Sequence, residues 1–501
     1  MSAAAEPVAP DAPRKTLSAR LFSLPVVMGL ALVCLLVFFS NPVGGRAVSA
    51  VADPDIGWHL RDAAQLLHTG HFIRTETWTF TVAGQPWINF EWMAELPYYF
   101  VYQQMGDTGL YLLMMLLMTA IVVGVYLLCR LRSGSWNAAF LASVAAVLFA
   151  TVSFAPRTLL FGWLFLVIEL GILWSLEKGR DYTAFLPLLF LLWINTHGSW
   201  FIGFVLMLLF FSAGWIEGQW GNLFAVPWTP AQKKKFLLVM AASFALLFVN
   251  PYGWRLVAYP LDVAFRQKAT LQYIAEWGSL DFHTVRAKVV LGVYGLLVLL
   301  QLIRRIRWKL QDLIFLAVAV YGGFTYVRFL FMAGILVAPL LAIHISGRHK
   351  SSALAAKGER WVNGFAIAVL LAFIVLRIPT GRQLRAGVAA NYPEKALPYV
   401  RALAGQGNLF NDFKWGTWLE WNAPQVKEFA DTRVDIFVHQ GILRDYLRAT
   451  RGEDTDAILD KYRIRYVLMS RDTPMVYLLE HEPDWKITYQ DDQAVVLERI
   501  H

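Results

Sequence analysis

Cysteine is nearly absent from this chain. The two present among 501 residues, Cys34 and Cys129, both fall inside apolar runs, so no disulfide framework and no CxxC metal site is available. Charge is scarce too. Asp, Glu, Lys and Arg make up 16% of the chain, against about 25% in a soluble globular domain. The phosphate-cradling GxxxxGK[ST] loop, the HExxH zinc helix and the GxSxG nucleophile turn do not occur. ATP hydrolysis and zinc proteolysis therefore lack their usual motifs. No internal repeat is evident, and the one biased tract is the Ala/Pro-rich segment 1–17, which is expected to be disordered.

What is present is apolar. Hydrophobic residues reach 57% and aromatic ones 15%, and the mean hydropathy is +0.47. These values predict a polytopic membrane protein. In such a protein a net charge of +9 is not a nucleic-acid signal, because basic residues collect in cytoplasmic loops.

Apolar runs long enough to cross a bilayer, about 20 residues with some shortening or tilt, lie near 21–40, 109–130, 137–155, 159–176, 183–196, 200–216, 236–249, 287–303, 310–326, 329–345 and 361–378. The first lacks a small-residue cleavage site and reads as a retained helix. With the N-terminus inside, every inner segment carries a basic cluster: Arg14, Lys15 and Arg20; Arg130 and Arg132; Lys178 and Arg180; Lys233 to Lys235; Arg304 to Lys309; Arg348 to Arg360. That alternation supports about eleven spans and an outside C-terminal tail. The expected organisation is a cytoplasmic N-terminus (1–20), a helical membrane domain (21–378) with a first outer loop (41–108), and a small α/β domain outside (379–501). In the tail, 393–404 and 454–462 read as short helices, and the end reads as a hairpin around Asp491-Asp492-Gln493.

This orientation gathers the unusual polar residues on one face. Asp53 and Asp55 flank a proline just after the first span. In an extended segment, residues two apart point the same way, so both carboxylates face one site as base or metal ligands. The plainer reading of Asp55 is a helix N-cap. His59 shares a face with Asp55 if a helix starts there. Glu91, Trp92 and Glu95 open another helix, where acids suit the dipole. Trp87 and Trp92 fit an interfacial aromatic belt or a sugar-stacking platform. Arg157 and Arg328 either snorkel to water or fork onto a phosphate. Asn195 and His197 sit at the outer end of a span, where such residues face protein or a cavity more often than lipid. Glu276 precedes Trp277 in a later outer loop. Glu169, in mid-span, is expected in a buried pair or hydrogen bond. Asp431 and Arg433 alternate charge along 431–435, and a surface salt bridge or turn is the simpler reading.

The pattern resembles the GT-C superfamily of membrane glycosyltransferases. The likeness runs through Asp53-Pro54-Asp55-x-x-Trp58-His59, Asn89-x-Glu91-Trp92, Trp193-x-Asn195-x-His197-Gly198, Asn250-Pro251-x-Gly253 and Asp431-x-Arg433. It implies an α-helical polytopic fold with an extracytoplasmic α/β domain, in a bacterial inner membrane. It also implies transfer of a sugar from a polyprenyl-phosphate carrier to a glycan, lipid or protein acceptor. The first-loop acid, here Asp53 or Asp55, would be the catalytic base or a ligand of a divalent cation. A second acidic cluster like that of metal-dependent oligosaccharyltransferases has no clear match. The expected substrate-binding set is His59, Glu91, Trp92, Arg157, Asn195, His197, Glu276, Arg328, Asp431 and Arg433. Two other classes fit the same fold: a lipid or glycan transporter or flippase, which would favour ionisable groups near the midplane and repeated halves, and a non-catalytic envelope-assembly protein.

Overall fold

The structure, a computed structural model, describes residues 16–41, 51–266, 274–346 and 357–500. The expected disordered tail lies, through residue 15, outside the described residues, as do Arg348 and Lys350; Leu17–Leu21 is a short helix. All eleven apolar runs are helical. Among the described residues, five helices are long and apolar enough to cross a bilayer: Asp107–Ser133, Leu159–Glu177, Val285–Arg304, Val327–Ile345 and Glu359–Arg377. Five further apolar helices are shorter, Leu24–Ser40 and Trp136–Ala150 among them.

The centre of the bundle is the helix Leu330–Ile345, nearly all of whose side chains are buried. It lies close against the alanine-rich helix Trp136–Ala150. A Cβ added at Gly334 would stand 2.8 Å from the Phe149 Cβ. Lipid tails supply no hydrophobic drive between helices, so small residues that admit close backbones decide the packing. At the ends of the bundle helices away from Arg157, Arg132 bonds Glu177 and Asp312 at 2.5 Å each. That buried ion cluster uses a residue read from sequence as a simple topological charge. Glu169 departs from expectation: both carboxylate oxygens are buried without a hydrogen-bond partner, beside Gly203.

The tail folds around a four-stranded sheet in the order β4-β5-β7-β6, where β4 is Asn408–Asn411, β5 Ile464–Ser470, β6 Trp485–Gln490 and β7 Ala494–Arg499. The β4–β5 pair is parallel and the others antiparallel. The expected terminal hairpin is present; Asp491 Oδ1 accepts from the Gln493 and Ala494 amides at 2.8 Å. The strands β1 (Gly218–Trp220), β2 (Leu223–Ala225) and β3 (Trp308–Lys309) form a small separate sheet, which the hydropathy reading missed.

The loop after the first apolar helix and the tail share one core. Trp58, Ile73, Trp78, Val82 and Trp87 from the loop are buried with Phe410, Phe429, Val434 and Phe437 from the tail. Helix Ile56–Thr69 lies on helix Gly416–Asn422, and a Cβ at Gly57 would stand 2.0 Å from the Thr417 carbonyl oxygen. Thr417 Oγ1 donates to the Pro54 carbonyl, and Tyr392 Oη donates to the Asp53 carbonyl at 3.0 Å.

At the middle of this joint is Arg433. Its guanidinium donates to Glu76 (2.6 Å), Glu420 (2.7 Å) and Asp431 (2.5 Å). It also packs 4.5 Å from the Trp78 ring centre and 4.8 Å from that of Trp87. The surface salt bridge expected for Asp431 and Arg433 is thus corrected. Arg433 is 3% exposed and Asp431 0%, because Glu76 and Glu420 arrive from distant segments and close over the pair. Trp87 is correspondingly a buried cation–π partner, not a member of an interfacial belt.

Two substitutions test the joint. Arg433→Met leaves buried carboxylates without their cation, a loss of about 3–5 kcal/mol, read as a lowered melting temperature and proteolysis of the tail. Gly57→Ala forces a methyl onto a backbone carbonyl and is expected to cost about 3 kcal/mol, the upper end for overpacking, in the same measurements.

Candidate active site

The segment 53–59 does not run straight. Asp55 is helical (φ −92°, ψ −19°) and takes the N-cap position of Ile56–Thr69 without making a side-chain capping bond. The two carboxylates therefore part, where an extended strand would have aimed them together. Asp53 turns inward: Oδ1 accepts from the Asp55 amide at 3.0 Å and Oδ2 from Arg157 Nε at 2.7 Å. Arg157 also bonds Glu276 at 2.5 Å. Asp55 faces a cavity and accepts from Thr432 Oγ1.

That cavity has a volume of about 460 Å³. The expected residues His59, Glu91, Arg157, His197, Glu276, Arg328 and Arg433 line it together with Asp55. Asp53 and Asp431 stand behind it, each holding an arginine. Trp92 and Asn195 are outside the lining. Trp92 Nε1 donates to Asn195 Oδ1 at 3.1 Å, and Asn195 Nδ2 donates to the Leu191 and Val249 carbonyls. This pair braces helix ends and offers no atom to the cavity. Trp277, noted from sequence only beside Glu276, is also in the lining, and sequence reading missed Thr158, Tyr259, Thr432 and Asp435 there. Asp435 lies within the alternating 431–435 stretch, the one signal that could have found it. Tyr259 Oη donates to Asp435 Oδ2 at 3.0 Å.

Burial sets the protonation states. It pushes Asp55 up to about 7, with the neighbouring Asp53 charge adding to the rise and Arg157 opposing it. Glu91 is pushed up to about 8 by burial, and Asp435 to about 6. His59 falls to about 3 by burial, and burial also holds His197 well down. Both rings are therefore neutral near pH 7. His197 Nδ1 accepts from the Ser199 amide at 2.9 Å, which puts the ring proton on Nε2, 3.2 Å from Glu91 Oε1. His59 reaches Glu95 at 3.0 Å through Nδ1 and Glu91 at 3.7 Å through Nε2. Asn89 Nδ2 donates to Glu95 at 2.9 Å. One wall is thus a buried, oriented set of neutral donors and acceptors.

The same cavity is also lined by cations. Arg157 is neutralised by Asp53 and Glu276. Arg328 stacks 5.2 Å from the Trp277 ring centre and, among the described residues, has no carboxylate at ion-pair distance. A divalent cation does not fit between Asp53 and Asp55, because the Arg157 guanidinium already holds Asp53 and would repel it. Glu420, Glu428 and Asp431 bring carboxylate atoms within 4.8 Å of one another, but Glu420 and Asp431 are committed to Arg433.

No protein-family model and no curated protein sequence matches the chain. Solved structures do. An Archaeoglobus fulgidus oligosaccharyltransferase tethered to an acceptor peptide aligns over 90% of this chain and 70% of that one, at 13% identity and a TM-score of 0.58. Its apo form aligns over 89% and 69%, at 12% identity and a TM-score of 0.55. ArnT from Cupriavidus metallidurans bound to undecaprenyl phosphate aligns over 95% and 97%, at 13% identity and a TM-score of 0.47. The chain shares the fold of that oligosaccharyltransferase.

Proposed function

We propose that the protein transfers a sugar from a polyprenyl-phosphate carrier to an acceptor hydroxyl in the 460 Å³ cavity, at the extracytoplasmic face of a bacterial inner membrane. One observation carries this reading. A single cavity is lined both by a carboxylate, Asp55, and by an arginine, Arg328, that has no carboxylate at ion-pair distance among the described residues. Proton abstraction and leaving-group stabilisation are the two demands of displacement at an anomeric carbon.

Asp55 is the base. It takes the proton of the acceptor hydroxyl as that oxygen bonds the anomeric carbon. The glycosyl C–O bond to phosphate breaks on the opposite face, and its electron pair stays on the phosphate oxygen beside Arg328. Such in-line displacement inverts the anomeric centre. Asp53 is a positioning residue that holds Arg157 and, through the Asp55 amide, the turn itself. Neutral His59 and His197 and protonated Glu91 hydrogen-bond sugar hydroxyls. Arg433 and Thr432 fix the tail at the mouth, where a glycan, lipid or protein acceptor enters. Trp92 and Asn195 act through packing. The polar groups cluster at this face, which favours transfer over transport.

Asp55→Asn should lower transfer by at least about 10²-fold, the low end for a positioned base, with expression and melting temperature retained. In a deletion strain the wild-type gene, but not this variant, should restore the glycan product; restoration by the variant would overturn the assignment. Because Asp55 must be ionised to act, the rate should rise as pH passes upward through about 7, the folded value, and Asp55→Asn should lose that limb. Arg328→Ala should reduce transfer at saturating donor by roughly 10²-fold, the scale of one lost oxyanion-type donor.

A further inference from the structure

A second cavity of about 180 Å³ opens beside the first, sharing Arg157, Glu276 and Arg328 with it. Its remaining polar lining is Thr151, Ser153 and Arg286. The two spaces differ in charge. The main cavity holds Asp55, Glu91 and Asp435. In the side cavity Glu276 is the lone carboxylate, and it is spent on Arg157 together with Asp53. Arg286 and Arg328 have no carboxylate at ion-pair distance among the described residues. The side cavity is therefore lined by two uncompensated guanidinium groups, while the main cavity is lined by Arg328 alone of that pair.

Charge matching follows. A glycosyl phosphodiester carries one negative charge at neutral pH, and a glycosyl diphosphate diester carries two. Guanidinium forks bind phosphate oxygens in pairs. Arg328, common to both cavities, stands where the phosphate next to the sugar would sit. Arg286, confined to the side cavity, stands one step further from the sugar. The surface beside Arg286 is open and mixed: Phe282 is 42% and Val285 76% exposed, and the neighbouring Asp281–His283 pair is exposed as well. The helix that begins at Val285 is long and apolar enough to cross a bilayer, so a prenyl chain can leave along it into lipid.

We propose that the carrier is a polyprenyl diphosphate, with its second phosphate held in the side cavity by Arg286 and Arg328. This rests on the transferase reading and names its donor class. On transfer, the glycosyl C–O bond breaks, the electron pair goes to the proximal phosphate, and prenyl diphosphate leaves with one further negative charge, next to Arg157, Arg328 and Arg286.

The test uses the full-length protein in nanodiscs, titrated with farnesyl diphosphate, farnesyl phosphate and inorganic diphosphate, with binding read by thermal shift or calorimetry. Farnesyl diphosphate should bind at least tenfold more tightly than farnesyl phosphate. Arg286→Gln should erase that preference, weakening farnesyl diphosphate about tenfold and leaving farnesyl phosphate within twofold. Arg328→Gln should weaken both. Arg286 is exposed in the first turn of its helix, and an unchanged ligand-free melt of Arg286→Gln confirms an intact fold. Inorganic diphosphate binding more tightly than farnesyl diphosphate would point to a soluble source of the diphosphate and overturn the lipid assignment. Equal affinity for the two lipids, or equal loss for both in Arg286→Gln, would overturn the proposal and leave the transferase reading standing. Binding of neither lipid would take down both.

Discussion

The structure depends on a buried cation. Arg433 carries its charge into the joint between the first long loop and the tail, where water is excluded. A lone guanidinium there would be far too costly to bury. It is tolerated because Glu76 comes from the loop, Glu420 from a tail helix and Asp431 from its own turn, while the Trp78 and Trp87 rings, edge-to-face with each other, both lie against it. None of these partners can be supplied by one segment alone. The interaction thus makes loop and tail a single folding unit at the membrane face. It also fixes Thr432, the next residue, on Asp55. A charge with no chemical task of its own sets the position of the group proposed as base.

The same logic of compensation sorts the cavity's arginines. Arg157 and Arg328 look alike in sequence, each a solitary arginine at the end of a span. In the fold Arg157 is saturated by Asp53 and Glu276, so its positive charge is already used. Arg328 has an aromatic face and, among the described residues, no acid at ion-pair distance. An arginine held by carboxylates orients neighbours; one held by a ring keeps its field for an incoming anion. The acidic side is likewise divided. Asp53 is ion-paired, whereas Asp55 is half-buried with one hydroxyl donor and is pushed up to about 7 by the loss of water and the nearby Asp53 charge. Two aspartates two residues apart thereby acquire different roles from their surroundings.

Much of the site was legible because its polar residues break otherwise apolar or looping sequence. Asp55, His59, Glu91, Arg157, His197, Glu276, Arg328 and Arg433 were visible as exceptions to hydropathy, and they line one cavity. Trp92 and Asn195 stood out in the same way, yet they bond to each other and to backbone carbonyls. A polar residue at membrane depth must find a partner, and hydropathy does not say whether that partner is substrate or scaffold. Glu76, Glu420 and Tyr259 were passed over for the converse reason. They sit in stretches of ordinary polarity, and only long-range packing buries them.

By itself the sequence determined the helices, the fold class and the set of unusual polar residues that gather at one cavity. These follow from local hydropathy, from the spacing of apolar runs and from basic residues at their ends, all properties of neighbours in the chain. The tertiary structure alone decided which acid is paired, which arginine is left without one, and that the 431–435 turn is core and not surface. Those outcomes depend on charges that approach from hundreds of residues away, and a charge's effect is set by what surrounds it in space.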